Sequence, residues 1–165
     1  LLEVPPAAAL AELAEAVETE RVLAARARQR AALEARRREL ERLRAETLSP
    51  AEIEAMLRRC AEAARRGARR AVVLTFPAEL LEDRGRRILE REPDWPATLA
   101  GRPWAFHRFF ESRLAPLGYR LDAQVTSFEE GVPASFALVL DWSGAGGRGG
   151  VEQAQEPLGG GEVAS

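Results

Sequence analysis

The two side chains best suited to chemistry are the only histidine and the only cysteine. His107 lies at the edge of the apolar face of a helix predicted over 103–116, and Cys60 lies on the apolar face of a helix predicted to begin after Ser49. A buried thiol is unreactive because burial disfavours the thiolate, and one thiol with one imidazole cannot form a Cys/His zinc site. We therefore predict no catalytic residue, metal or cofactor. A small enzyme of unknown reaction that uses His107 is kept as an alternative.

Two loops contain side chains that could bind a ligand or a partner. Asp83 and Arg86 flank a glycine in a predicted turn, and Asp94 and Trp95 lie in a loop bounded by prolines, which block a regular strand. A tryptophan in such a loop is either part of the core or an exposed anchor of the kind that dominates interfaces. These four residues are the predicted binding residues.

A cluster of arginines could bind phosphate groups. Residues 58–70 contain six arginines and one glutamate. Arginines in the last turn of a helix can simply offset the helix dipole while the others are solvated. The alternative is sequence-independent nucleic-acid binding through phosphate contacts. The residues concerned are Arg58, Arg59, Arg65, Arg66, Arg69 and Arg70.

The composition argues against long-range electrostatic attraction. The chain of 165 residues has 24 basic side chains, all of them arginine, and 26 acidic ones, for a net charge of −2. A nearly neutral chain has no field that would draw it to nucleic acid or to an anionic membrane. No apolar run reaches the roughly 18 residues that span a bilayer, and Glu3, Glu12 and Glu15 stand where a signal peptide would be basic and then apolar. We therefore predict a cytoplasmic protein that does not bind membranes.

The first third of the chain is predicted to be one long helix. Residues 7–46 contain no glycine or proline and consist mostly of strong helix formers. The apolar seam begins with Leu10, Leu13 and Val17, but Glu20 takes the next heptad position and only alanines continue it. A sustained coiled coil needs larger apolar side chains over three or four heptads. The helix is therefore either a weak coiled coil or a single solvated helix held by charge pairs such as Glu34–Arg38.

The rest of the folded region predicts an α-β-α-β-β order. Ser49, Pro50 and Glu52 form a capping box that opens a helix ending at Gly67. An apolar strand follows over 71–76, then short helices around 78–92 and a helix over 103–116 whose apolar face extends to Leu117. Residues 119–125 and 136–142 alternate in polarity and predict a hairpin with a five-residue turn over 129–133.

The last strand is the most apolar on both faces and should lie in the middle of the sheet. The predicted fold is therefore α+β: a three-stranded split β-α-β sheet with helices on one face, preceded by the long helix. Arg120, Asp122, Gln124, Thr126 and Asp141 should point to the open face, which is free for solvent or a partner.

The aromatic residues mark the limits of the globular domain. All ten lie between Phe76 and Trp142, and the chain after Ser143 is rich in glycine. Aromatic side chains carry much of the buried area of a core, whereas a glycine-rich tail buries too little to become ordered. We therefore predict three regions: an extended charged helix over 1–47, a globular domain over 48–142, and a disordered tail over 143–165.

Residues 69–142 resemble a family of small bacterial proteins of uncharacterised activity. The resemblance rests on Phe76-Pro77, on Asp83 with Gly85-Arg86, on the segment Asp94-Trp95-Pro96-Ala97-Thr98-Leu99 with Gly101, on Pro116-Leu117-Gly118-Tyr119, and on the hairpin that ends at Trp142. It implies a shared fold and no established activity. The turn over 129–133 departs from the glycine-rich pattern of that family.

These features together predict a non-enzymatic module. A long helix, a sheet with an open face and a tail suit a protein that binds a protein partner or itself, as a homodimer. Nucleic-acid binding through the arginine cluster is the alternative.

Overall fold

The computed structural model describes residues 2–145, which form two compact units that divide between Arg42 and Leu43. The first unit is helical. It contains most of α1, which spans Ala7–Ala45 and ends one residue short of the predicted limit. Charge pairs lie along the C-terminal part of α1, and they include the predicted Glu34–Arg38 pair at 3.4 Å. Arg37 forms the closest pair, with a guanidinium nitrogen 2.6 Å from Glu34.

The second unit begins with the end of α1 and with α2, Pro50–Arg65. The predicted cap is present, because the Ser49 hydroxyl accepts a hydrogen bond from the Glu52 backbone N–H at 3.2 Å. The Glu52 carboxylate turns back to the Ser49 hydroxyl at 3.2 Å and also pairs with Arg102 at 2.6 Å. Gly67 follows the helix with a φ of 92°, in the left-handed region that favours glycine.

Three strands form an antiparallel sheet in the order β1-β3-β2. The strands are β1 (Arg70–Pro77), β2 (Arg120–Glu129) and β3 (Val132–Asp141). β3 pairs with both neighbours, so the most apolar strand is central, as its composition predicts. Because β1 and β2 both run against β3, they are parallel to each other and separated by it. The α+β fold with a split β-α-β sheet is confirmed.

The core lies on the helical face of the sheet. Phe136, Leu138 and Leu140 of β3 have no exposed surface, and they share a cluster with Met56 and Cys60 of α2. Phe106 joins the same cluster from α4, which spans Gly101–Phe109. Burial raises the pKa of the Cys60 thiol.

The opposite face of the sheet carries the polar side chains predicted there. Four of them are exposed: Arg120, Asp122, Gln124 and Thr126. The fifth, Asp141, is less accessible and is half-buried. The Asp141 carboxylate accepts hydrogen bonds from the Ser143 N–H at 2.8 Å and from its hydroxyl at 2.6 Å. These bonds, aided by nearby Arg70 and Arg120, lower the pKa of Asp141.

The hairpin between β2 and β3 is tighter than predicted. β2 continues to Glu129 and β3 begins at Val132, so the turn has two residues rather than five. Glu130 and Gly131 have φ values of 50° and 78°. Positive φ at both central residues is the type I′ geometry, whose twist matches that of the flanking strands. Gly131, inside the predicted five-residue turn, is the residue that makes a two-residue turn possible.

The helix predicted over 103–116 changes its winding part of the way along. α4 is followed by a π-helical turn over Phe110–Leu114 and a 3₁₀ turn over Ala115–Leu117. Phe106 and Leu114 stay buried, but Leu117 is 71% exposed. The prediction that Leu117 continues the apolar face was wrong, because it assumes an unbroken period of 3.6 residues. Between β1 and α4 lie one short α-helix, α3 (Arg86–Leu89), and 3₁₀ turns over Ala78–Leu80 and Trp95–Thr98. The predicted tail lies, from residue 146 onward, outside the described residues.

Candidate functional site

Asp83 organises the turn that leads into α3. One carboxylate oxygen accepts the Gly85 N–H at 3.0 Å and the other accepts the Arg87 N–H at 3.0 Å. Gly85 has a φ of 98°, and a Cβ at this position would overlap the ring of Phe136. Both oxygens of Asp83 therefore hold the backbone conformation that brings the turn down onto the central strand.

A network of ion pairs crosses the loop after this turn. A guanidinium nitrogen of Arg86 lies 2.6 Å from Glu90 and 2.8 Å from Glu92, and its hydrogen bond is the largest factor that lowers the pKa of Glu92. Arg87 lies 3.6 Å from Asp94 and 3.7 Å from Asp83. Arg87 therefore joins two predicted binding residues, although it was not itself among the predicted ones. The sequence feature that could have identified Arg87 is its position four residues after Asp83, a spacing at which opposite charges often pair on a helix.

Trp95 lies at the start of a 3₁₀ turn, Trp95–Thr98, and packs against the core as a half-buried side chain. Its carbonyl accepts the Thr98 hydroxyl at 2.7 Å, and the Thr98 carbonyl accepts the Glu82 N–H at 3.0 Å. Leu99 is in the core. Several residues of the Asp-Trp-Pro segment therefore hold the two loops together, which gives that segment a structural role whether or not it binds anything.

His107 lies among aromatic rings. The Trp104 ring stacks on it with centroids 5.8 Å apart, and Trp95 meets it edge-on at 6.3 Å. The His107 side chain is 9% exposed, and its Nε2 is 3.5 Å from the Glu111 carboxylate. Its Nδ1 is buried and has no hydrogen-bond partner among the described residues. Burial lowers the pKa of His107, although Glu111 acts in the opposite direction.

This low pKa predicts a loss of stability in mild acid. The unfolded chain takes up a proton near the ordinary value of about 6.5, whereas the folded chain takes it up at lower pH. The contribution is therefore fully present above about pH 6.5 and is lost as the pH falls through the folded-state pKa, with a slope of at most about 1.4 kcal/mol per pH unit. His107→Phe should flatten the stability profile measured by urea unfolding between pH 5 and 7.5.

The chain has one histidine, so no second imidazole contributes to this window. His107→Gln serves as the matched polar control and should flatten the profile in the same way. A slope that survives both substitutions would contradict a buried, neutral His107 as its source.

A surface cavity of about 670 Å³ lies between the segment around Trp95 and the edge strand β2. Its size is in the range of small-molecule sites, and its lining mixes both charges. Arg91 lies two residues after the end of α3, and its φ of 56° is unusual for a residue other than glycine. Neither the cavity nor the role of Arg91 in it could be predicted from the sequence, since residues from distant parts of the chain form the cavity. The lining includes Arg70, Arg91, Glu92, Trp95, Asp122 and Gln124.

The arginine cluster is exposed but does not form a surface of one charge. Arg58, Arg59 and Arg65 are exposed on α2 and Arg66 follows its end, and the exposed Glu54 and Glu62 lie on the same helix. Arg58 lies 3.4 Å from Glu54. At the sheet end, Arg70 is opposite Asp141 in the register of β1 and β3. Nucleic-acid binding by the cluster stays a prediction.

The chain matches no protein-family model, curated protein or solved structure. Within residues 2–145, no helix is long and apolar enough to cross a membrane. The same residues contain no group of three or more histidine, cysteine or acidic side chains placed to hold a metal ion. The resemblance over residues 69–142 stays a prediction.

Proposed function

We propose that the protein is a non-enzymatic self-association module and that α1 is its contact surface. The observation that carries this proposal is that none of the 39 residues of α1 is buried. Leu10, Leu13, Val17 and Leu23 are 54%, 62%, 46% and 57% exposed. Apolar side chains repeated along one helix gain free energy when a second helix covers them. As part of the same proposal, we place the protein in the cytoplasm, where the buried, unpaired Cys60 would stay reduced.

The ends of α1 differ in a way that supports pairing near its start. The ion pairs found along α1 lie in the segment from Glu34 to Glu41. Such pairs between i and i+3 or i+4 stabilise a solvated single helix. The three large seam residues Leu10, Leu13 and Val17 all precede that segment. The segment from Glu34 to Glu41 is therefore suited to water, and the start of α1 has the side chains that a partner would cover.

Self-association should be lost when the seam is made polar. The double variant Leu13→Gln and Val17→Gln removes four apolar side chains from a dimer, and we expect its dissociation constant to rise about 100-fold or more. Sedimentation equilibrium of the full chain over a concentration series measures this constant.

The control variant carries Ala8→Gln and Thr19→Gln, which lie on the opposite side of the helix. It should associate as tightly as the natural sequence. A natural chain that sediments as a monomer up to millimolar concentration would contradict self-association. Equal weakening by both double variants would place the contact elsewhere.

A further inference from the structure

The charges at the start of α1 are separated into two blocks. Residues 7–20 contain four glutamates and no arginine, and residues 21–30 contain four arginines and no acidic residue. The glutamates are Glu12, Glu15, Glu18 and Glu20, and the arginines are Arg21, Arg26, Arg28 and Arg30. All eight side chains are exposed. The helical period places Glu20 in the seam and Arg21 and Arg28 beside it, whereas Glu15, Glu18 and Arg26 lie on the opposite side of the helix. The charges that a second helix would meet are therefore those in and beside the seam.

We infer that the partner of α1 is a second copy of the same helix in antiparallel orientation, centred between Glu20 and Arg21. This inference rests on the proposed self-association through α1. In the antiparallel arrangement Glu20 of each copy lies beside Arg21 of the other, and Arg28 lies beside the uncharged start of the seam near Leu13. In a parallel arrangement each of the charges in and beside the seam would lie along its own like-charged equivalent, which opposes pairing.

The same centre aligns large side chains with small ones. Leu10, Leu13 and Val17 of one copy come opposite Ala31, Ala27 and Ala24 of the other, each within one residue. The alanines are exposed on the same side of α1 as the large residues. A large side chain against a small one lets two helices approach closely and fill the space between them. The alanines that interrupt a conventional seam thus become the surface that receives the leucines.

Glu20 also distinguishes the two directions. It occupies the seam position after Val17, where a parallel dimer would place two Glu20 carboxylates against each other. Uncompensated like charges at a contact destabilise it. In the antiparallel dimer, Glu20 instead comes opposite Arg21 of the second copy, and the pair occurs twice by symmetry.

Disulfide cross-linking tests the direction of pairing. In a Cys60→Ala background, one full-length variant carries Leu10→Cys and another carries Ala31→Cys. These positions are roughly 30 Å apart along one helix at 1.5 Å per residue. Antiparallel pairing predicts cross-linked dimer when the two variants are mixed under mild oxidation and little when either is oxidised alone. Strong cross-linking within each separate variant would show a parallel dimer and overturn the inference, while self-association itself would stand.

A charge-swap cycle at the centre tests the same arrangement without a cross-link. Glu20→Arg and Arg21→Glu should each raise the dissociation constant about tenfold or more, because each brings like charges together at two symmetric places. The double variant should restore most of the affinity. Failure of the double variant to restore affinity would also overturn the inference. A natural chain that is monomeric in sedimentation would instead contradict the proposed self-association, so the two failures are distinguishable.

Discussion

Gly85→Ala is expected to lower the free energy of unfolding by about 2–5 kcal/mol. Gly85 has a φ of 98°, and a Cβ there would overlap the Phe136 ring. The left-handed backbone costs an L-residue roughly 1–2 kcal/mol, and forcing extra volume into a packed core costs about 1–3 kcal/mol more. The ring has no free space to move into, because Phe136 has no exposed surface and stacks near Phe76.

Gly67→Ala separates these two contributions. Gly67 has a φ of 92°, close to that of Gly85, but no atom lies within 4 Å of its added Cβ. It should lose only the backbone contribution, about 1–2 kcal/mol. Urea unfolding at pH 7.5, followed by tryptophan fluorescence, measures both variants. Equal losses in the two variants would show that contact with Phe136 does not require glycine at residue 85.

Gly101→Ala is expected to lower stability by about 2–4 kcal/mol. Gly101 opens α4 with a φ of 65°, and its added Cβ would collide with the backbone carbonyl of Leu43. The colliding atom is backbone, so a change of side-chain rotamer cannot relieve the overlap. Because Leu43 and Leu48 both contribute to the core, the segment that joins α1 to α2 must shift if α4 is to stay in place.

Hydrogen exchange tests whether the Gly101→Ala substitution destabilises the segment over 43–48. In the Gly101→Ala variant, amides over 43–48 should exchange faster while those of the central strand keep most of their protection. The Gly131→Ala variant is the control, since Gly131 also has positive φ but open space around it. Unchanged exchange over 43–48 would contradict the proposed contact.

Much of the fold could be predicted because its signals are local. Ser49 and Gly67 limit α2 through side-chain chemistry and backbone conformation that act within one helical turn. The alternation of β2 and the apolar composition of β3 show which strand is central, since only a central strand buries both faces. The hairpin was predicted, but the length of its turn was wrong, because glycine occurs in both long and short turns. Leu117 was misplaced because a π-helical turn changes the period that assigns side chains to a face.

The candidate site was predictable only in part. Asp83 and Arg86 were predicted in one loop, and Asp94 and Trp95 in another. The structure adds that Arg87 joins Asp83 to Asp94 and that Trp95 meets His107. The latter contact joins a loop to a helix, and no spacing in the sequence encodes the distance between two such rings. Whether these residues bind anything stays a prediction.

The sequence alone determined the long helix, the charge blocks along it and the location of the aromatic core, because composition and periodicity act along the chain. Only the tertiary structure decided why residues 85 and 101 must be glycine. Each lies against an atom from a distant part of the chain, the Phe136 ring or the Leu43 carbonyl. The available space at a residue depends on what packs beside it, and the linear order of residues does not contain that information. His107 follows the same rule, because its low pKa arises from burial by rings brought to it by the fold.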